Sequence, residues 1–165
     1  MRVATWNVNS LSARLDKVRW WLDRAQPDVL LLQETKLGDG DAPHQSFEAH
    51  GYRLAHHGEG RWNGVAIASR VGLDDVIVNF GDGPVGASAS ASSSESAPLA
   101  EARMVSAGCN GVRVVSLYAP NGRTVGSFFY QAKLAWFARL RRWLTETCAT
   151  SDALVLGGDF NVAPG

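Results

Sequence analysis

Cysteine is nearly missing: Cys109 and Cys148 are the only two in 165 residues. They are too few and too isolated for a disulfide framework or a zinc cluster of the usual paired spacing, and a reducing compartment is expected. An excess of charge of one sign is missing as well, since 16 Lys and Arg balance 16 Asp and Glu. That excludes a wholesale basic coat for gripping nucleic acid, so any hold on a polyanion must come from a local patch. No apolar run approaches the roughly 18 residues of a membrane span. Met1-Arg2 leads straight into the strand-like Val3-Ala4-Thr5-Trp6 without the charged start and apolar stretch of a secretion signal, and no Asn-x-Ser/Thr acceptor occurs. The expectation is a cytoplasmic protein with no membrane partner.

With 45% hydrophobic residues the chain can bury a core of about one domain. Residues 2 to 8 read as a strand, and Ser10 or Ser12 can cap a following helix, where Leu15, Val18, Leu22 and Ala25 recur at helical spacing until Pro27 stops it. Val29-Leu30-Leu31-Leu32 is apolar without alternation, as in a strand covered on both faces of an α/β protein. Residues 36 to 50 read as loop, and strands are predicted at 52–57, 64–69 and 75–80. The Gly, Ser and Ala tract over 81–98 reads as a flexible surface loop. Asn110-Gly111 predicts a hairpin between strands at 102–107 and 112–118. A long helix over 127–148 is expected to turn Leu134, Phe137, Leu140, Leu144 and Cys148 to the core, followed by a buried strand at 153–156.

Four of these strands end in a polar residue able to bind phosphate or a hard cation: Asn7, Glu34, Tyr118, and Asp159 with Asn161. Ligands of α/β sheets gather beyond strand ends, so convergence of these termini is a site hypothesis; taken singly, Asp and Asn also suit turns for backbone reasons. Phosphate-ester hydrolysis fits the set. Glu34 offers an oxygen ligand for Mg2+, and Asn7 can orient the metal or the phosphate. Asp159 can polarise a water, while Asn161 and Tyr118 can donate hydrogen bonds to oxygens that gain charge in the transition state. His44, His50, His56 and His57 fall in or beside predicted loops and read as solvated. Gly81-Asp82-Gly83-Pro84-Val85-Gly86 mimics a dinucleotide fingerprint but is followed by no amphipathic helix, and Arg139, Arg141 and Arg142 read as the solvated face of the long helix.

Trp6-Asn7-Val8-Asn9-Ser10-Leu11, Pro27 through Lys36 with its Gln33-Glu34-Thr35-Lys36 end, Tyr118-Ala119-Pro120-Asn121-Gly122 and Gly158-Asp159-Phe160-Asn161-Val162-Ala163-Pro164 together resemble the exodeoxyribonuclease III type of apurinic/apyrimidinic endonuclease, within the endonuclease/exonuclease/phosphatase superfamily. Glu101-Ala102-Arg103 and Trp62-Asn63-Gly64-Val65-Ala66 are similar to two further strand starts of that family. The resemblance implies an α/β four-layer sandwich of two mixed β-sheets flanked by helices, here a single domain represented by its N-terminal portion. It implies a DNA-repair nuclease with Mg2+ as cofactor and Mn2+ as an alternative, acting as a monomer on double-stranded DNA at abasic sites or 3′ ends. It implies that Glu34 is the metal ligand with Asn7 in the same polar cluster and Asn9 close by, that Tyr118 faces the phosphate, that Asp159 readies water and that Asn161 holds the phosphate. Arg14 and Lys133 would meet DNA. In place of the family's Leu-Arg-Ala-Arg stands Leu11-Ser12-Ala13-Arg14, so one arginine is missing.

Members of that family run on past the point where this chain stops, into a segment carrying a further Asp and His of the active site. Loss of one positioned acid or base typically costs on the order of 10² to 10⁴ in rate, so these 165 residues by themselves are expected to be nearly or wholly inactive. An uncovered apolar sheet face is expected as well. The alternatives are another phosphoesterase of the superfamily, or a non-catalytic fragment that binds DNA or a partner.

Overall fold

A computed structural model describes residues 1–81 and 101–163. Strand β1 (Val3–Asn7) runs into helix α1 (Leu11–Ala25), capped by the Ser10 hydroxyl, which accepts from the Ala13 N–H, and closed by Gln26 in a left-handed conformation before Pro27. β2 (Val29–Gln33) returns parallel to β1, which is what a crossover helix allows. β3 (Arg53–His57) and β4 (Val65–Ser69) complete a sheet of order β1-β2-β4-β3 with antiparallel pairs. The second sheet, β5 (Asp74–Val78), β6 (Met104–Cys109), β7 (Val112–Tyr118) and β8 (Leu154–Asp159), is ordered β5-β6-β7-β8. Its one parallel pair, β7 with β8, is bridged by α3 (Phe128–Thr147). The Asn110-Gly111 turn, both residues at positive φ, joins β6 to β7 as expected.

The two sheets pack face to face. Val29, Leu31, Val65 and Ile67 of one meet Val105, Ala107 and Val114 of the other in one buried cluster. On the outer faces, α1 and Phe47 cover the first sheet and α3 covers the second, giving the four layers the resemblance implies. Among the described residues the central strands are covered on both faces, whereas β1 and β8, terminal strands that lie against each other, have no fully buried residue.

Several local expectations are corrected. The stretch 36–50 is not all loop: a 3-10 turn covers Asp39–Asp41 and a short helix α2 covers His44–Glu48, held by buried Phe47. In α3 the face is rotated, because Ala132, Trp136, Leu140 and Trp143 are the buried residues while Leu134 is 46% exposed and Cys148 caps the end; two indoles outweigh one leucine in apolar area. Arg141 and Arg142 are exposed as expected, but Arg139 stacks on the Phe80 ring. The 81–98 tract and the glycine pattern at its start lie, apart from Gly81, outside the described residues.

β8 runs to Asp159 because Gly157 and Gly158 keep their register with Ser116 and Leu117 of β7. At Gly158, with φ +142°, a Cβ would stand 2.0 Å from the Leu117 carbonyl oxygen, so only glycine fits there. The C-terminal ends of β1, β2, β7 and β8 thus meet at one rim of the sandwich.

Candidate functional site

β1 ends at Asn7, and its side chain organises the rim. Asn7 Nδ2 donates to Glu34 Oε1 at 2.8 Å and to Asp159 Oδ2 at 2.9 Å, while Asn7 Oδ1 accepts the Asn9 N–H at 3.0 Å. Both hydrogens of the amide and one lone pair of its oxygen are thereby used. Two carboxylates that would repel each other are tied by one shared donor.

Backbone geometry aims these groups. Asn9, Glu34, Lys36 and Asn161 all have φ between 43° and 55°, a left-handed conformation that costs non-glycine residues and clusters at functional sites. Around Glu34 the conformation is held by Ser10 N–H to Glu34 O at 2.8 Å, Leu11 N–H to Thr35 O at 2.9 Å, Thr35 N–H to Gly64 O at 3.1 Å and Lys36 N–H to Asn63 O at 2.9 Å. Asp159 is held from its other side by the Asn161 N–H, 2.9 Å from Oδ1. The Asn161 side-chain amide donates to Ala119 O at 2.8 Å.

Tyr118, the last residue of β7, faces Glu34, and its hydroxyl is pushed up to about 12, first by burial and then by the negative charge of Glu34. It is a neutral O–H donor at any physiological pH. Arg103 lies over its ring, 4.9 Å from the centroid, and pairs with Glu101. Lys36 Nζ stands 3.3 Å from Glu34 Oε2 and also donates to Asn9 Oδ1. Lys133 donates to the backbone carbonyl of Asn161, and Arg14 to that of Asn9 at 2.8 Å.

The structure therefore brings Asn7, Glu34, Tyr118, Asp159 and Asn161 together, with Asn9 and Arg14 on one flank and Lys133 on the other. Lys36 and Arg103 belong to the same cluster and were not anticipated as site residues; the signal was their place inside the Gln33-Glu34-Thr35-Lys36 and Glu101-Ala102-Arg103 segments. The solvated reading of the histidines is overturned for His56 and His57, which end β3, and for His50, whose ring pairs with Asp23 at 2.6 Å; the His56 side chain is 1% exposed, because its ring is packed between Thr35 and Asp39.

The oxygen donors suit a hard cation. Among the described residues no three His, Cys, Asp or Glu side chains are grouped to hold a metal, which does not fit zinc's demand for three or four protein ligands. A cation that binds through one or two carboxylates and keeps several waters, as Mg2+ does, fits the Glu34 and Asp159 pair. Lys36 shows that positive charge already sits well against Glu34 Oε2. Asn7 presents its amide nitrogen to both carboxylates and its oxygen to the Asn9 N–H.

Two mixed sheets flanked by helices, with two amide-tied carboxylates and a half-buried tyrosine at the rim, form the architecture of a phosphoesterase fold, and residues 4–165 match the Endonuclease/Exonuclease/phosphatase family, to which the chain belongs. Within it, the chain is 26% identical over 169 residues to exodeoxyribonuclease III of Haemophilus influenzae, covering 99% of this chain and 58% of that protein. Its fold superposes with a TM-score of 0.86 on an AP endonuclease from Archaeoglobus fulgidus, at 36% identity, covering 100% of this chain and 59% of the other. The same score is reached, at 34% identity, with a Neisseria 3′ phosphatase bound to a product DNA hairpin, again covering 100% and 59%. The chain thus spans less than two thirds of the length of these relatives.

Proposed function

We propose that these residues form the hydrolytic centre of a Mg2+-dependent DNA-repair nuclease of the exodeoxyribonuclease III type, which cuts phosphodiesters beside abasic sites and at 3′ ends of double-stranded DNA. The observation that carries this reading is the Asn7 amide holding Glu34 and Asp159 side by side at the strand ends. Likeness to an AP endonuclease and to a phosphatase seen with a DNA hairpin supports DNA as the substrate class.

Glu34 would hold the Mg2+, with Mn2+ as a substitute, and the ion's charge would offset that of the phosphate. Asp159, fixed on both oxygens by Asn7 and Asn161, accepts a proton from a water, whose oxygen attacks phosphorus as the P–O3′ bond breaks. The side-chain amide of Asn161 has a second hydrogen beyond the one given to Ala119, and it donates to a phosphate oxygen. Tyr118, kept protonated by burial and by Glu34, donates another hydrogen bond where charge develops. Arg14, Lys36 and Lys133 line the flanks and supply the local positive charge that a neutral chain must concentrate to hold DNA, with the Asn9 amide beside them. The protein acts as a cytoplasmic monomer.

The test is incision of an abasic duplex with Mg2+, run at high protein concentration beside release of phosphate from small esters. Slow incision that disappears with a chelator and in Glu34→Gln supports the reading. Hydrolysis of the small esters alone would make the protein another phosphoesterase of the family. No metal-dependent cleavage by a chain joined to the remaining length of a relative would make it a binding module.

A further inference from the structure

Behind Glu34, away from the rim, lies a second chain of hydrogen bonds. Thr35 Oγ1 is 2.8 Å from His56 Nε2, and His56 Nδ1 is 2.8 Å from Asp39 Oδ1, an oxygen that also accepts the Gly58 N–H at 2.8 Å. With Nδ1–H donating to Asp39 Oδ1, Nε2 is left as acceptor and the Thr35 hydroxyl is the donor. Burial lowers the basicity of His56 and agrees with a neutral ring. A hydroxyl, an imidazole and a carboxylate in series have the form of a nucleophile relay, yet Thr35 is 0% exposed and no substrate can reach it.

The relay instead grips the one residue between two strained ones. Glu34 at φ 52° and Lys36 at φ 55° flank Thr35, and a left-handed non-glycine residue persists only where its surroundings hold it. Thr35 has its N–H, its carbonyl and its hydroxyl all engaged, and a Cβ on Gly64 would stand 2.1 Å from that hydroxyl. We propose that Asp39, His56 and Thr35 act as positioning residues, a relay from the edge of the first sheet that locks the backbone at Glu34 and so aims its carboxylate at the cation.

This inference rests on Glu34 being a metal ligand, and the experiment separates the two. Mn2+ affinity is measured by the loss of the free-ion EPR signal on the intact chain, for wild type, Glu34→Gln, Thr35→Val, Thr35→Ser and Asp39→Ala. In the metal-free protein, amide exchange at Ser10 and Leu11 is followed by NMR, since these N–H groups bond the Glu34 and Thr35 carbonyls. Thr35→Val and Asp39→Ala are expected to weaken Mn2+ binding about 10- to 100-fold, the range for residues that orient a ligand. Both should speed exchange at Ser10 and Leu11 while circular dichroism stays unchanged, and Thr35→Ser should restore both readouts. If Thr35→Val does not fold, Asp39→Ala decides, because its side chain is 59% exposed and its removal leaves no core cavity. Unchanged affinity and exchange in Asp39→Ala would overturn the relay. Unchanged Mn2+ binding in Glu34→Gln would instead remove Glu34 as the ligand, and the exchange rates alone would then show whether the relay holds that backbone.

Discussion

Asn7 and Asp159, 152 residues apart in the chain, meet through a 2.9 Å hydrogen bond from the Asn7 amide to the Asp159 carboxylate. Because Asn7 also holds Glu34, its loss leaves two neighbouring carboxylates without their common donor. Asn7→Leu is expected to reduce Mg2+-dependent incision about 10- to 100-fold with the fold intact. Incision assays on folded variant protein check this, and a rate equal to wild type would remove Asn7 from the site.

Tyr118 predicts how stability depends on alkaline pH. Its hydroxyl ionises near 10 in the unfolded chain and only at about 12 in the fold, so above pH 10 the unfolded state gives up its proton first. The stabilisation is fully present below pH 10 and is lost as pH rises towards 12. Urea unfolding at stepped pH should show that decline, and Tyr118→Phe should flatten it. Tyr52, also raised by burial, would leave a residual slope.

Between the sheets, Gln33 Nε2 donates to Ser116 Oγ at 3.2 Å, and Ser116 Oγ donates to Leu32 O at 3.1 Å. Thr5 Oγ1 adds a 3.2 Å bond to Gln33 Oε1. Gln33 and Ser116 are both buried, so Ser116→Ala leaves the glutamine amide short of an acceptor and should cost about 1–3 kcal/mol. Adding Gln33→Leu should cost less than the sum of the single changes, as a double-mutant cycle would report.

Gly158→Ala should destabilise by more than about 3 kcal/mol, since the new methyl would run into the Leu117 carbonyl at a φ that L-residues avoid. Chemical denaturation measures the loss. A change under about 1 kcal/mol, the centre of ordinary point-mutant effects, would show that β8 can shift aside.

Much of this architecture is legible in residue patterns. The unbroken Val29-Leu30-Leu31-Leu32 run does mark a strand buried on both faces, and Asn110-Gly111 does turn a hairpin. Asn7, Tyr118 and Asp159 do end their strands and Glu34 directly follows its own, and the four converge because strand ends in a layered sheet share one rim. What the pattern hides is set by tertiary contact. Helix α2 is too short to nucleate alone and exists because Phe47 is buried. The tilt of α3 follows Trp136 and Trp143 rather than Leu134. His56 passes for a loop residue because its partners, Thr35 and Asp39, lie 21 and 17 positions away.

β1 and β8 are the first and last strands in chain order, yet they lie against each other in the fold. Asn7 and Glu34 leave the ribosome early, whereas Asp159 emerges only after the whole second sheet has been made. A nascent chain therefore carries one half of the carboxylate pair for most of its synthesis and completes the pair only when β8 docks beside β7. Order of translation thus keeps the two carboxylates apart until β8 has joined the second sheet.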